Sequence, residues 1–224
     1  MGESQDAPNS VVLATPAVDM TSVDDQGDTT IDLDDSQLSM TAPGGLSQDE
    51  ANGLLYMREE EKLAHDVYLA LYDKWELPIF ENIANSEQTH TDAVKALLDA
   101  YDLSDPAAGK STGEFVNTDL QALYDDLTAQ GSRSLSDALK VGAAIEEIDI
   151  LDLQTHLAQT ENANIRTVYE NLMKGSRNHL RSFTSTLSRQ GGETYEPQYL
   201  SVDVYQTIVG SSIEAGGRRN GNGR

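Results

Sequence analysis

Glu87 and His90 stand three residues apart in the stretch SEQTH, Ser86 to His90, and both fall in the apolar stripe of an otherwise ordinary amphipathic helix. With about 100° of rotation per residue, that stripe runs through Ile83, Glu87, His90, Val94, Leu98 and Tyr101. A carboxylate in a core is costly unless a positive group meets it. Three other runs repeat the pattern. Glu61 is centred in the stripe of Leu54, Met57, Ala64, Tyr68 and Tyr72. Glu146 lies within about 60° of Leu135, Leu139, Ala143, Ile150, Leu153 and Leu157, and His179 is flanked by Ile165, Val168, Leu172 and Phe183. If Glu61, Glu87 and Glu146 converged with no cation, repulsion and desolvation would oppose their ionisation or prevent folding. A divalent metal resolves the conflict, and carboxylate oxygen with imidazole nitrogen and no sulfur suits iron or manganese, and zinc less distinctively.

Four helices must position these residues. Ser47 and Glu50 form a capping-box pattern that opens a helix over 47–75, and Pro78 begins a second that runs to about Tyr101. A long connection over 103–133 carries one short helix around TDLQALYDDLTAQ. Ser134 and Asp137 cap a third long helix to about Gln159, and a fourth spans about 162–189, stopping at Gly191-Gly192. The expected fold class is all-α, a four-helix bundle over 47–190 of ferritin-like topology, with its long crossover between the second and third helices. Residues 1–46, with nine Asp or Glu and no Lys or Arg, read as a disordered acidic tail. Within it, DDQGDTTIDLDD does not have EF-hand ligand spacing, and a solvated tail accounts for it better than calcium binding. Residues 191–210 read as a cover on the bundle, and 211–224, rich in Gly and Arg, as a disordered end.

Composition narrows the function classes. The chain carries 38 Asp plus Glu against 15 Lys plus Arg, a net charge of −23, which argues against nucleic acid as a partner. The same surface suits a halophilic setting or a metal-handling protein. With no cysteine, thiolate catalysis, disulfides and iron–sulfur ligation are excluded. No run is long enough for a membrane span, and VVLATPAV lacks the flank of an intact signal peptide, so the default expectation is cytoplasmic, with a mature secreted form also compatible.

The segments MREEEKLAHDVYLALYDKW, IFENIANSEQTHTDAVKALLDAY and NLMKGSRNHLRSF resemble the ferritin-like superfamily, and more closely its group known as domain of unknown function 2202, over about residues 47–210. The resemblance implies a dinuclear site with Glu61 on the first helix, bridging Glu87 and ligand His90 on the second, Glu146 on the third and His179 on the fourth. It also implies Tyr68, two turns beyond Glu61, as a residue beside the metals that assists catalysis. Where many members of the ferritin-like superfamily have a fourth-helix Glu three residues before the His, this chain has Ser176. Asp149, one turn beyond Glu146, is the candidate ligand to restore that charge, and His65 could fill a coordination place. On the shortfall of one carboxylate, Ser176→Glu is expected to strengthen the second metal position. The stripe also implies that Glu87→Leu stabilises the metal-free chain.

The implied activity is binding of Fe(II), two ions or one, and its oxidation by O2 or H2O2. Alternatives are a non-catalytic metal-holding bundle and manganese-dependent peroxide disproportionation. A homodimer is compatible. Glu59, Glu60 and Glu147 are expected outside the centre, Glu147 and Asp152 solvated, Arg177 and Arg181 in surface salt bridges, and His156 at the edge of its stripe.

Overall fold

The computed structural model describes residues 20–23, 29–31 and 45–214. Among these, four long helices form the bundle: α1 (Gln48–Trp75), α2 (Pro78–Ala100), α4 (Leu135–Ala158) and α5 (Ala163–Gly191). The crossover carries α3 (Thr118–Gly131), and α6 (Val202–Val209) follows the last long helix. Around the bundle α1 packs on α2 and α4, and α5 packs on α4 and α2.

Local chemistry sets the boundaries. Ser47 and Glu50 make both hydrogen bonds of the capping box at the start of α1, while Ser134 and Asn162 cap α4 and α5 through their side chains. Pro78 sits in the first turn of α2, where its missing N–H leaves no bond unmade. Gly192, at φ 66°, closes α5 in the left-handed conformation.

The core is divided along the bundle axis. One apolar cluster includes Val67, Tyr68, Phe80, Ile83, Leu139 and Phe183. The other includes Leu54, Met57, Val94, Leu98, Leu153 and Leu172. In sequence, Glu61, Glu87 with His90, and His179 each fall between the residues their helix gives to one cluster and those it gives to the other. The ionisable residues therefore form a polar layer between two apolar ones.

The expectation of disorder throughout 1–46 is corrected for part of that segment. β1 (Thr21–Val23) and β2 (Thr29–Ile31) pair antiparallel, Thr21 opposite Ile31, and β2 lies against α2 and α5. Met20 and Ile31 are buried in the second cluster. The backbone N–H of Met20 donates to Asn171 and that of Ile31 to Thr89. β-branched residues supply the strands, and apolar burial fixes them to the bundle. The rest of the acidic segment before Gly45, and the end from 215 onward, lie outside the described residues.

Other surface assignments are corrected as well. Residues 168–181 of α5 are buried on every side, because the hairpin, α6 and the chain to Glu214 cover the face that a plain bundle would leave to water. Arg177 and Arg181 are accordingly buried, and both pair with Glu214. Glu147 is fully buried rather than solvated, its carboxylate accepting the backbone N–H groups of Gln198, Tyr199 and Leu200. Asp152 is half-buried and accepts the Tyr56 hydroxyl at 3.0 Å. Glu59 is buried beneath the crossover, accepting from the N–H groups of Val116 and Asn117.

Glu147 thus pins the segment after α5 to α4. Its replacement by Ala is expected to cost about 2 kcal/mol or more in urea unfolding, since hydrogen bonds to a charged acceptor are worth about 1.5–3 kcal/mol each. Cleavage by protease at Gln198–Leu200 should rise in step, and a cost near zero would show that the segment is held by its apolar contacts alone.

Candidate metal centre

The mid-depth residues of the four helices meet. Ligand atoms of Glu61, Glu87 and His90 lie within 4.8 Å of one another, and so do those of Glu87, Glu146 and His179. These are the two such groups found among the described residues, and Glu87 belongs to both. One Glu87 oxygen is 2.8 Å from His90 Nδ1 and the other 2.8 Å from His179 Nδ1. Glu61 Oε2 is 3.4 Å from His90 Nδ1, and Glu146 Oε2 is 3.6 Å from His179 Nδ1. The two imidazoles stack across Glu87, centroids 5.4 Å apart and planes 19° from parallel.

The direction of these atoms matters more than their closeness. Neither Nδ1 atom forms a hydrogen bond of acceptable angle, and Glu61 Oε1 has no partner, although all are buried. Such orphaned buried groups are rare in proteins. The two Nδ1 atoms and the Glu61 carboxylate belong to the clusters in which ligand atoms from several side chains lie within 4.8 Å of one another, close enough to share an ion. Three carboxylates and two imidazoles suit a hard or borderline divalent metal.

Other residues fix the imidazoles. His179 Nε2 lies 2.9 Å from Ser86 Oγ, and the Ser86 hydroxyl donates to the Thr29 carbonyl of β2. Ser86 Oγ therefore accepts a hydrogen bond from Nε2–H, which leaves Nδ1 free to ligate. On the other side, a Cβ at Gly175 would come within 2.5 Å of His90 Cε1, so the ring packs directly on the α5 backbone. Ser86 and Gly175 were not singled out from the sequence. A glycine inside a helix costs about 1 kcal/mol relative to Ala, and that penalty was the available signal.

Tyr68 donates to Glu146 Oε1 at 2.6 Å and is also within 3.3 Å of the Gly142 carbonyl, which puts the phenol directly on a candidate ligand. Asp149 is buried outside both groups, with Ser176 donating to its Oδ2 while Oδ1 has no partner. A Glu at 176 would replace the hydroxyl that meets this carboxylate, so the gain expected from Ser176→Glu is opposed by like-charge repulsion from Asp149. His65 is half-buried against Asp66, away from the centre. Half-buried His156 is ring-packed between Tyr56 and Tyr169.

Residues 50–212 match the family described as an uncharacterized protein domain, DUF2202. The chain belongs to the DUF2202 family. The uncharacterized protein MJ0754 of Methanocaldococcus jannaschii is 53% identical over 174 residues, 78% of this chain and 94% of its own length. The crystal structure of the hypothetical protein MJ0754 from Methanococcus jannaschii is similar with a TM-score of 0.75 and 52% identity, over 78% of this chain and 99% of that one.

Electrostatics in this DUF2202 centre differ from residue to residue. Burial would raise Glu87, but the two imidazoles outweigh it and hold its carboxyl well below the ordinary range. That corrects the expectation for Glu87→Leu, because Glu87 is the best-compensated carboxylate in the layer and its loss would strand both imidazoles. Burial pushes Glu61 up to about 7, and His179, against burial, is raised by Glu146 and Glu87 to about 9. Folding thus favours the proton on both groups. Metal-free stability is lost as pH rises from 4.5 to about 7 for Glu61 and from 6.5 to about 9 for His179. A bound cation needs both groups deprotonated and gains over the same interval. The rise in Tm on adding Mn(II) should therefore grow from about pH 6 to about pH 9, and a rise that shrinks with pH would count against these ligands.

Proposed function

We propose that the chain is a dinuclear iron protein that binds two Fe(II) ions and oxidises them with O2 or H2O2. The observation that carries this reading is Glu87, whose two oxygens each sit 2.8 Å from a different, otherwise unpartnered imidazole Nδ1. Glu61 and His90 would hold one ion, Glu146 and His179 the other, and Glu87 would bridge them. Asp149 is a candidate additional ligand through its free oxygen. Bundles of the dinuclear carboxylate kind place a Glu on each of two helices and Glu-x-x-His on the other two, and this chain departs from that scheme only in having Ser at 176.

When bound, the two ions supply two electrons, which with two protons reduce one H2O2 to two waters or one O2 to H2O2. The protein residues set the conditions for that transfer. His90 and His179 give up their Nδ1 protons on metal uptake, and Ser86 keeps the Nε2 proton of His179 in place. Burial together with Glu146 and Glu87 holds the Tyr68 phenol well above its ordinary value, so it stays protonated and donates to Glu146. Its hydroxyl is thus a proton donor in direct contact with the second ligand group, which is the role proposed for Tyr68 in catalysis.

A second reading, a metal that joins the four helices without turnover, is favoured by enclosure. Glu61, Glu87, His90, Glu146 and His179 are each at most 2% exposed. Anaerobic loading with Fe(II) followed by O2 or H2O2 separates the readings. Oxidation predicts consumption of the oxidant and near-ultraviolet ferric absorption, and His90→Ala should slow both by about tenfold or more with helicity unchanged, as loss of a well-placed ligand does. Tight binding with no consumption of either oxidant would establish the structural role. Oxygen release from peroxide by the manganese-loaded protein would move the assignment to disproportionation.

A further inference from the structure

Beyond the two ligand groups, a line of carboxylates continues along the α1–α4 interface. On α4, Glu146, Asp149 and Asp152 recur every three residues, each a neighbour of the next as the line winds toward the surface. Across from them on α1 stand Glu61, Glu60 and Tyr56. Glu60 is 4% exposed, and neither of its oxygens has a hydrogen-bond partner. The charges that act on it most are those of Asp149 and Asp152, and the charge that acts most on Asp149 is that of Glu61. Asp149 likewise keeps one oxygen without a partner. At the outer end, Tyr56 and Asp152 line a surface cleft of about 710 Å³, together with Asp49, Glu59 and His156.

The partners already assigned do not account for Glu60. Glu59, its neighbour, satisfies backbone N–H groups of the crossover, and Glu61 belongs to the metal centre. Glu60 does neither, yet its chain has taken the carboxylate out of water and set it against two others. Two unit charges 4 Å apart repel by about 4 kcal/mol at an effective dielectric of 20, so Glu60 can be ionised there only with a cation close by. The spacing matters as much as the burial. No three of these oxygens come together as those of the dinuclear groups do, which suits a hydrated ion in passage better than one held in a closed cage.

We propose that Glu60, with Asp149 and Asp152, forms a third divalent-cation position, through which ions pass from the Tyr56–Asp152 cleft to the dinuclear centre. The acidic cleft gathers the ion, Asp152 and Glu60 receive it with part of its water shell, and Asp149 hands it to Glu61. This rests on the dinuclear reading given above, and one set of measurements tests the two separately. The full chain is loaded anaerobically with Co(II), metal per chain is counted by equilibrium dialysis, and the visible absorption of nitrogen-ligated Co(II) is followed by stopped flow. Wild type should bind two ions tightly and a third weakly. Glu60→Gln should lose the third ion and, with Asp152→Asn, load the nitrogen-ligated sites at least about tenfold more slowly at low Co(II), because a cleft of one charge sign raises encounter rates by about 10–1,000-fold. Asp73→Asn, which removes an exposed α1 charge, should load as wild type does. Retention of the third ion in Glu60→Gln, or unchanged loading in both variants, overturns the transit position while the band in wild type upholds the centre. Absence of that band from every protein overturns the dinuclear reading and the transit position with it.

Discussion

Negative charge buried at the middle of a helix bundle is the constraint on which the rest of this structure depends. Between two apolar clusters lies a layer holding Glu60, Glu61, Glu87, Glu146 and Asp149, and the described positive partners inside it are two imidazoles. Both imidazoles flank Glu87. A core of this kind cannot be assembled by hydrophobic burial alone, because each uncompensated carboxylate opposes the burial that its neighbours favour. The apolar clusters on either side supply the folding free energy, and the layer between them is where the fold gives up stability.

That trade explains how much of the molecule is devoted to orientation. An imidazole can turn, and a ligand is useful only if the right nitrogen points inward. His179 is held through Ser86 and the Thr29 carbonyl, so a strand far away in sequence governs which nitrogen is free. His90 is held by shape instead, its ring lying against the bare backbone at Gly175. Asn178, beside His179, donates to Thr29 and accepts the backbone N–H of Glu214, so the hairpin and the last described segment meet on the helix that carries His179. The casing of α5 and the geometry of the centre are one arrangement.

The bundle was legible in the sequence because its signals are local. The Ser47–Glu50 box, Pro78, Ser134 and Asn162 mark helix starts, and the stripes centred on Glu61, Glu87, Glu146 and His179 show which faces turn inward. The casing was not legible. TSV and TTI are three-residue strands set among aspartates, too short for their β-branched content to outweigh the surrounding charge. Once that hairpin and the chain to Glu214 are unseen, α5 reads as a helix with one wet face, and Arg177 and Arg181 are assigned to solvent. Glu147 failed for a related reason. Its partners are the backbone N–H groups of residues 198–200, and sequence pattern carries no record of a distant backbone. Glu60 is expected outside the centre, but outside the centre is not outside the protein where α4 packs alongside.

The position of Ser176 gives the centre a polarity that its near-symmetry conceals. The Tyr68 hydroxyl donates to one oxygen of Glu146 and so withdraws part of its charge, whereas Glu61 keeps an oxygen without a partner. Asp149 adds to this difference, since the charge that acts on it most is that of Glu61 and Ser176 ties up only one of its oxygens. A Glu at 176 would have balanced the halves from α5. With Ser there, negative charge accumulates toward Glu61 and α1, and the half built on Glu146 and His179 is the poorer in charge. For a divalent cation the two positions are therefore unequal by construction, and the richer one lies on the side from which the line of carboxylates through Asp149 and Glu60 approaches.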